Sequence, residues 1–242
     1  MSEETKIEAQ TLGSDILPAA IGVAVNAFAV IAVIVVLFSK QGVANGITFL
    51  VGWIGGLVFV VALVHTLMRT GAALTSGNPS LDIIQAMLGI LIGLLFLGMG
   101  FAQWRKRPKH GVAEPLPKWL AEADAKVTGG DVITPNRSAS IAFALAALNP
   151  KAIALVMAAS VVVLKTSPRF FDSLLDFVVF IAVASLAVAV PVVYRTVGGE
   201  HAETRLLQWK DWLIGHRAVV MAAVLFLLGV MFLLKGLAGL RP

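Results

Sequence analysis

The stretch Asn149-Pro150-Lys151 constrains this chain more than any other. It lies in the middle of an apolar run, Ala139 to Leu164. That run has room for a bilayer crossing, which takes about 20 apolar residues in a helix. Asn149 carries an amide that needs hydrogen-bond partners. Pro150 lacks an N–H and drives its ring at the carbonyl of Ala146, which kinks or breaks a helix. Lys151 brings an ammonium to mid-depth at a cost of about 2.5–3.5 kcal/mol on insertion scales. Such a cluster reads as a site facing a cavity or a packed interior. A plainer reading stands beside it: a proline kink whose asparagine bonds the freed carbonyl, with the lysine stem reaching an interface.

The rest of the composition agrees with a membrane setting. Of 242 residues, 58% are hydrophobic and 14% charged, whereas a soluble domain is about a quarter charged. The fold class expected is all-α: a polytopic membrane protein forming one membrane domain over residues 1–242, since the apolar mass runs the whole length. The absence of cysteine removes disulfides and thiolate metal sites, and no cofactor is expected. The formal charge of +5 suits loops touching anionic headgroups, so no nucleic-acid partner is needed to explain it. An intramembrane enzyme is not expected: there is no His-Glu-x-x-His pattern and no nucleophile elbow.

Residues 1–15 form a polar tail with Glu3, Glu4 and Glu8 and no basic n-region, so an uncleaved tail is expected. Six spans follow, near Ile16–Phe38, Ile47–Met68, Leu81–Trp104, Ala139–Leu164, Phe170–Tyr194 and Leu213–Leu234. The first two are joined by a short polar turn from Ser39 to Gly46. A charged loop precedes the sixth, up to Asp211. Gly52 with Gly56, and Gly89 with Gly93, have the spacing that lets helices approach closely. In the long connection, 105–137, Pro117 to Val127 reads as a short amphipathic helix in the interface, with Trp119, Leu120, Ala123 and Val127 on one side. Gly129-Gly130 stops it, and Thr134-Pro135-Asn136 starts the next helix. Ser167-Pro168 breaks the chain again. Asp176 is the deepest carboxylate, and reads either as a group held near a helix N-terminus by the dipole or as a proton carrier.

The long connection divides the chain into 16–104 and 138–242, three spans each. Halves with an odd number of spans have opposite orientations, the inverted-repeat plan of many transporters, whose sites lie near the midplane on broken helices. Asn26 of the first span aligns with Asn149 of the fourth. Lys40, seven basic residues from Arg105 to Arg137, and four from Arg195 to Arg217 fall on one side; six Lys and Arg fall on the other. The positive-inside rule then puts the long loop in the cytoplasm and both termini outside a multi-pass cytoplasmic-membrane protein.

Several stretches resemble the GAP family, the Sap or sulfolipid-addressing-type membrane proteins grouped with the LysE exporter superfamily. They are Ala44-Asn45-Gly46 with Phe49 to Trp53, Pro117 to Leu120, Ala147 to Lys151, Ala184-Ser185-Leu186, and Val220-Met221-Ala222 with Gly229 and Lys235-Gly236. Together they span nearly the whole chain in order. The resemblance implies a six-span exporter-like fold, and a role in moving envelope lipids or glycolipids outward beside a larger, proton-driven lipid transporter. There are two departures. Asn26-Ala27 stands where the family often has Asn-Pro, and Ser39-Lys40 where it often has Ser-Pro, which leaves the pairing of Asn26 with Asn149 open.

The candidate substrate-binding residues are Asn149, Pro150, Lys151, Asn26 and Asp176. Lys151 could pair with an anionic headgroup, while Asn149 and the carbonyl freed by Pro150 bind hydroxyls. Three functions compete: a lipid or glycolipid translocator or its accessory, an exporter of small polar solutes, and a non-transporting assembly subunit. A lipid path should be apolar and open sideways to membrane lipids; a solute path should be closed and polar. An assembly subunit should show glycine-lined outer faces, which would equally allow a homo-oligomer.

Overall fold

The computed structural model describes residues 16–75, 80–107, 116–128, 133–166, 170–199 and 201–240. Among them there are nine helices and no strand. They are α1 (Ile16–Ala24), α2 (Ala27–Leu37), α3 (Gly42–Thr75), α4 (Ser80–Arg105), α5 (Lys118–Thr128), α6 (Pro135–Ala147), α7 (Pro150–Thr166), α8 (Phe170–Gly198) and α9 (His201–Ala238). The polar tail, Gly129-Gly130 and the Ser167-Pro168 break lie outside the described residues.

Helices α3, α8 and α9 are each long and apolar enough to cross a membrane. Two bent pairs raise the number of candidate spans to five if each pair is one span: α1 with α2, bent by 48°, and α6 with α7, bent by 59°. Helix α4 adds a shorter apolar stretch, Gly89–Arg105. The second bend is the one expected at Pro150. The first pair, expected to be a continuous span, is broken at Val25 and Asn26 instead. The polar turn after it is also shorter than expected, because α3 already begins at Gly42.

These helices are apolar on every side, as a lipid solvent allows. Helix α2 is the central element: nine of its 11 residues are buried. Helix α7 buries one stripe, Ala152, Leu155, Val156, Ala159 and Val163, at the three- and four-residue spacing of a helix face. Outward faces carry exposed apolar side chains, such as Leu94 and Leu95 on α4 and Val178 and Val179 on α8.

The glycine pairs hold the helices together. A methyl group at Gly52 would come within 2.2 Å of the carbonyl oxygen of Ala139, so α3 and α6 cross backbone to backbone. At Gly93 it would meet the backbone nitrogen of Leu233 at 2.7 Å, which sets the α4–α9 crossing. A buried polar cluster fixes the entry to α6. Asn45 Nδ2 donates to Ser39 Oγ and to the carbonyl of Ile133, each at 2.7 Å, and Ser138 Oγ donates to the Asn45 carbonyl at 2.7 Å.

Helix α5 forms as expected, and its Leu120 and Val127 pack into the protein core. Helix α9 is the larger departure. Its 38 residues run without interruption through the region expected to be a charged loop. At about 1.5 Å per residue it outreaches a hydrocarbon core about 30 Å thick. The polar first third is held by neighbours: Lys210 pairs with Asp124 of α5 at 3.0 Å, and Glu203 pairs with Arg195 of α8.

Candidate site at the crossing of two broken helices

Each break is organised by an asparagine. In the second, Leu148 closes α6 by donating its N–H to the Ala144 carbonyl at 2.9 Å. Asn149 then caps α7: its Oδ1 accepts from the N–H of Lys151 at 3.0 Å and of Ala152 at 3.4 Å. Pro150 takes the first helical position, where its missing N–H would have had no intrahelical partner. In the first break Asn26 is extended (φ −118°, ψ 94°) and caps α2, its Oδ1 accepting from the Ala29 N–H at 3.4 Å. The two asparagines therefore share one task, satisfying the exposed amides of a half-helix.

The breaks also meet. The ammonium of Lys151 donates to the carbonyl oxygen of Val25 at 2.7 Å, across 126 positions of sequence. Lys151 is only 4% exposed, so its stem does not reach out to an interface. The carbonyl it holds belongs to the non-helical link between α1 and α2. A carbonyl left there without a partner would carry a desolvation cost of about 1–3 kcal/mol.

A cavity of about 560 Å³ opens beside this contact. Asn26, Asn149, Pro150 and Lys151 all line it. Its walls are apolar, with Phe28, Met99, Leu145 and Leu225. Gln103 and Trp119, near the end of α4 and the start of α5, also line it. The cavity is not enclosed. Leu148, at its rim, is 76% exposed at the level of the second break. Four of the five candidate residues are thus brought together. Asp176 is not among them; it is buried on α8, next to Phe177, whose ring meets His65 edge-on at 4.8 Å.

Sequence reasoning missed Phe28, Gln103 and Arg217. Phe28 is indistinguishable from other apolar residues of its span, and Gln103 from other polar residues at a span end. Arg217 had a signal: it falls inside the expected sixth span and immediately precedes the uncharged run Ala218–Leu234, yet it counts equally well among the basic residues of one membrane side.

An α-helical, multi-pass membrane protein with a largely apolar, open cavity where two broken helices meet is the class these features define. The family described as Sap, sulfolipid-1-addressing protein, matches residues 16–238, and the chain belongs to that family. No curated protein and no solved structure matches it. The family is one of addressing proteins of the membrane and not a known enzyme family.

Proposed function

We propose that this protein moves an envelope lipid or glycolipid across the cytoplasmic membrane, or assists a larger transporter that does, with the cavity at the crossed breaks as the passage. The observation that carries this reading is the cavity itself. It is lined largely by apolar side chains, with polar groups from Asn26, Asn149, Lys151 and Gln103, and it is open beside the exposed Leu148. An acyl chain can enter such a space from the bilayer while its polar part meets Asn149, Asn26 and Lys151. The description of the family as sulfolipid-addressing supports the same substrate class.

The reading includes a six-span, 3+3 inverted repeat. In it α1 with α2, α3 and α4 form one half, and α6 with α7, α8 and α9 the other. The support is that the opening span of each half is broken, and broken at an asparagine. It also includes a cytoplasmic long loop and outer termini, supported by the distribution of Lys and Arg. Lys151 has three N–H donors and gives one to Val25, which leaves donors for a headgroup. Asp176, outside the cavity, is not part of the substrate-facing set.

The polar-solute reading wants a closed, polar path, and the open apolar wall weighs against it. The assembly-subunit reading wants outward glycine faces. Gly52, Gly56, Gly89 and Gly93 instead face neighbouring helices of the same chain, which weighs against that reading. The test is a comparison of surface and internal lipids in cells with and without the protein. Loss of one surface lipid with internal build-up is the expected result. Unchanged surface lipids with a rise in an internal amino acid or ion would move the assignment to solute export.

A further inference from the structure

Beside the passage lies a smaller cavity of about 280 Å³, lined in part by Lys106 and Arg217. A third space is of another kind. It is a groove of about 400 Å³ that shares no lining residue with the other two. Ile21 and Ala24 of α1, Val30 of α2, and Val183 and Ala187 of α8 line it. Trp209 of α9 lines it too, and among the described residues is the one lining side chain with a polar atom. Ile21, Leu186 and Val190 of the same lining are half exposed, so the groove opens on the outside of the helices. That outside is hydrocarbon, since α8 is long and apolar enough to cross a membrane. The ring of Trp209 lies against Tyr194 of α8 with centroids 5.2 Å apart, and both side chains are partly exposed. Each is followed in sequence by a basic residue, Lys210 and Arg195. Aromatic next to basic marks the level of the headgroups. The groove thus joins an apolar shaft to an amphipathic head.

The groove also borders the first break. Ala24 precedes the link at Val25 and Asn26, and Val30 follows it. The passage touches the same link through Asn26 and Phe28. Phe28 and Val30 are two positions apart on α2, which puts them on nearly opposite sides of a helix with 3.6 residues per turn. The link therefore stands between passage and groove. Lys151, which lines the passage, holds it by the Val25 carbonyl.

We infer that the groove seats one acyl chain of a bilayer phospholipid, which backs the first break from the outside. The occupant follows from the chemistry. No charged side chain lines the groove among the described residues, so it takes a chain and does not choose a headgroup. A space this apolar does not hold water, and at this depth the neighbouring molecules are lipid chains. The indole N–H of Trp209 and the hydroxyl of Tyr194 stand at the level of the same lipid's polar atoms, as donors to them. This lipid is resident and not cargo, because the link separates it from the passage. The inference needs only the membrane setting and is independent of the export reading.

The test has two arms. In the first, the full wild-type chain is reconstituted with a phosphatidylcholine that carries a diazirine in one acyl chain. The sample is photolysed and the labelled peptides are mapped. Labels on α8 between residues 183 and 191, and on Ile21 of α1, are expected. The phosphatidylglycerol analogue should label the same residues to within about twofold. Labels absent from these residues overturn the proposal. A tenfold preference for either lipid also overturns it, because a headgroup would then be what is recognised. In the second arm, the purified chain is offered dioleoylphosphatidylcholine in detergent and retained lipid is read by native mass spectrometry. Ala187→Phe puts a ring into the groove from a partly exposed position. It should retain one molecule fewer per chain than wild type, with at least about a tenfold loss of affinity for that molecule, the loss that two unburied methylenes imply. Leu94→Phe, on the outward face of α4, should retain lipid as wild type does. Equal retention by wild type and Ala187→Phe overturns the proposal. So does a wild-type dimer that Ala187→Phe dissociates, which would make the groove a seam between two copies of the chain.

Discussion

The break between α6 and α7 contains a proline, and the break between α1 and α2 does not. The second bends the chain by 59° and the first by 48°, so the bends are of similar size. In the proline-containing break the local sequence accounts for the geometry: Pro150 cannot continue the hydrogen-bond ladder, and Asn149 caps α7 with two bonds. In the other, Asn26 supplies one cap bond at 3.4 Å, and the carbonyl of Val25 accepts from Lys151 of the opposite break. One break is written locally; the other is held open by a residue 126 positions away. The comparison teaches that a half-helix in a membrane protein needs no proline, provided each freed backbone group finds a partner.

The strongest way to break this comparison is Lys151→Met. It removes the donor to Val25 and also a buried ammonium. These effects on stability oppose each other at about 1–3 kcal/mol each, so unfolding in detergent should shift by less than about 2 kcal/mol. Export, by contrast, should be lost. Wild-type surface lipid in cells carrying Lys151→Met would show that the contact between the breaks has no functional part.

Asn149→Ala should destabilise the protein by about 1–2 kcal/mol, because two amides at the start of α7 lose their acceptor. Asn26→Ala should cost less, about 0.5–1 kcal/mol, because one longer bond is lost. Denaturation of the two variants side by side checks the order, and the reverse order would mean that the first break is the better capped. Pro150→Ala should keep the bend, since Asn149 still caps α7. A distance between spin labels on α6 and α7 should stay within the wild-type distribution, and a straightened helix would mean that the Asn149 cap does not hold the break without the proline.

The smallest effect is expected from Ala27→Pro, which installs the residue that the related pattern often carries. Asn26 already has the extended backbone that precedes a proline, and Ala27 occupies the first helical position. Stability should stay within about 1 kcal/mol of wild type, with a gain where the ring fits. A loss of several kcal/mol would mean that the buried surroundings of Ala27 have no room for the ring.

Much of the architecture was legible because its causes are local. Hydropathy identifies a membrane chain, since a bilayer core offers no hydrogen bonds and an apolar helix satisfies its own. Pro150 marks a break because its nitrogen has no hydrogen. Thr134 and Pro135 mark the start of α6, and Thr134 does accept from the Arg137 N–H at 3.4 Å. The glycine pairs announced close crossings, although not which helix each would meet. Helix α5 was legible from its apolar spacing, but its burial depended on what lay beneath it.

Tertiary structure alone decided the rest. The stem of α9 reads as a loop because a helix this polar gains little by itself; Asp124 and Arg195 supply partners from other helices. Arg217 reads as one of the basic residues near a span end because sequence does not reveal the cavity it lines. The break at Val25 and Asn26 reads as an unbroken span because an asparagine within an apolar run does not say whether it will cap a helix or sit inside one. That choice turns on whether the freed carbonyl finds a donor, and the donor is the ammonium of Lys151. The sequence by itself determined where a helix could not continue. Only packing determined where one could afford to stop, because a hydrogen bond between distant residues exists only after the chain has brought them together.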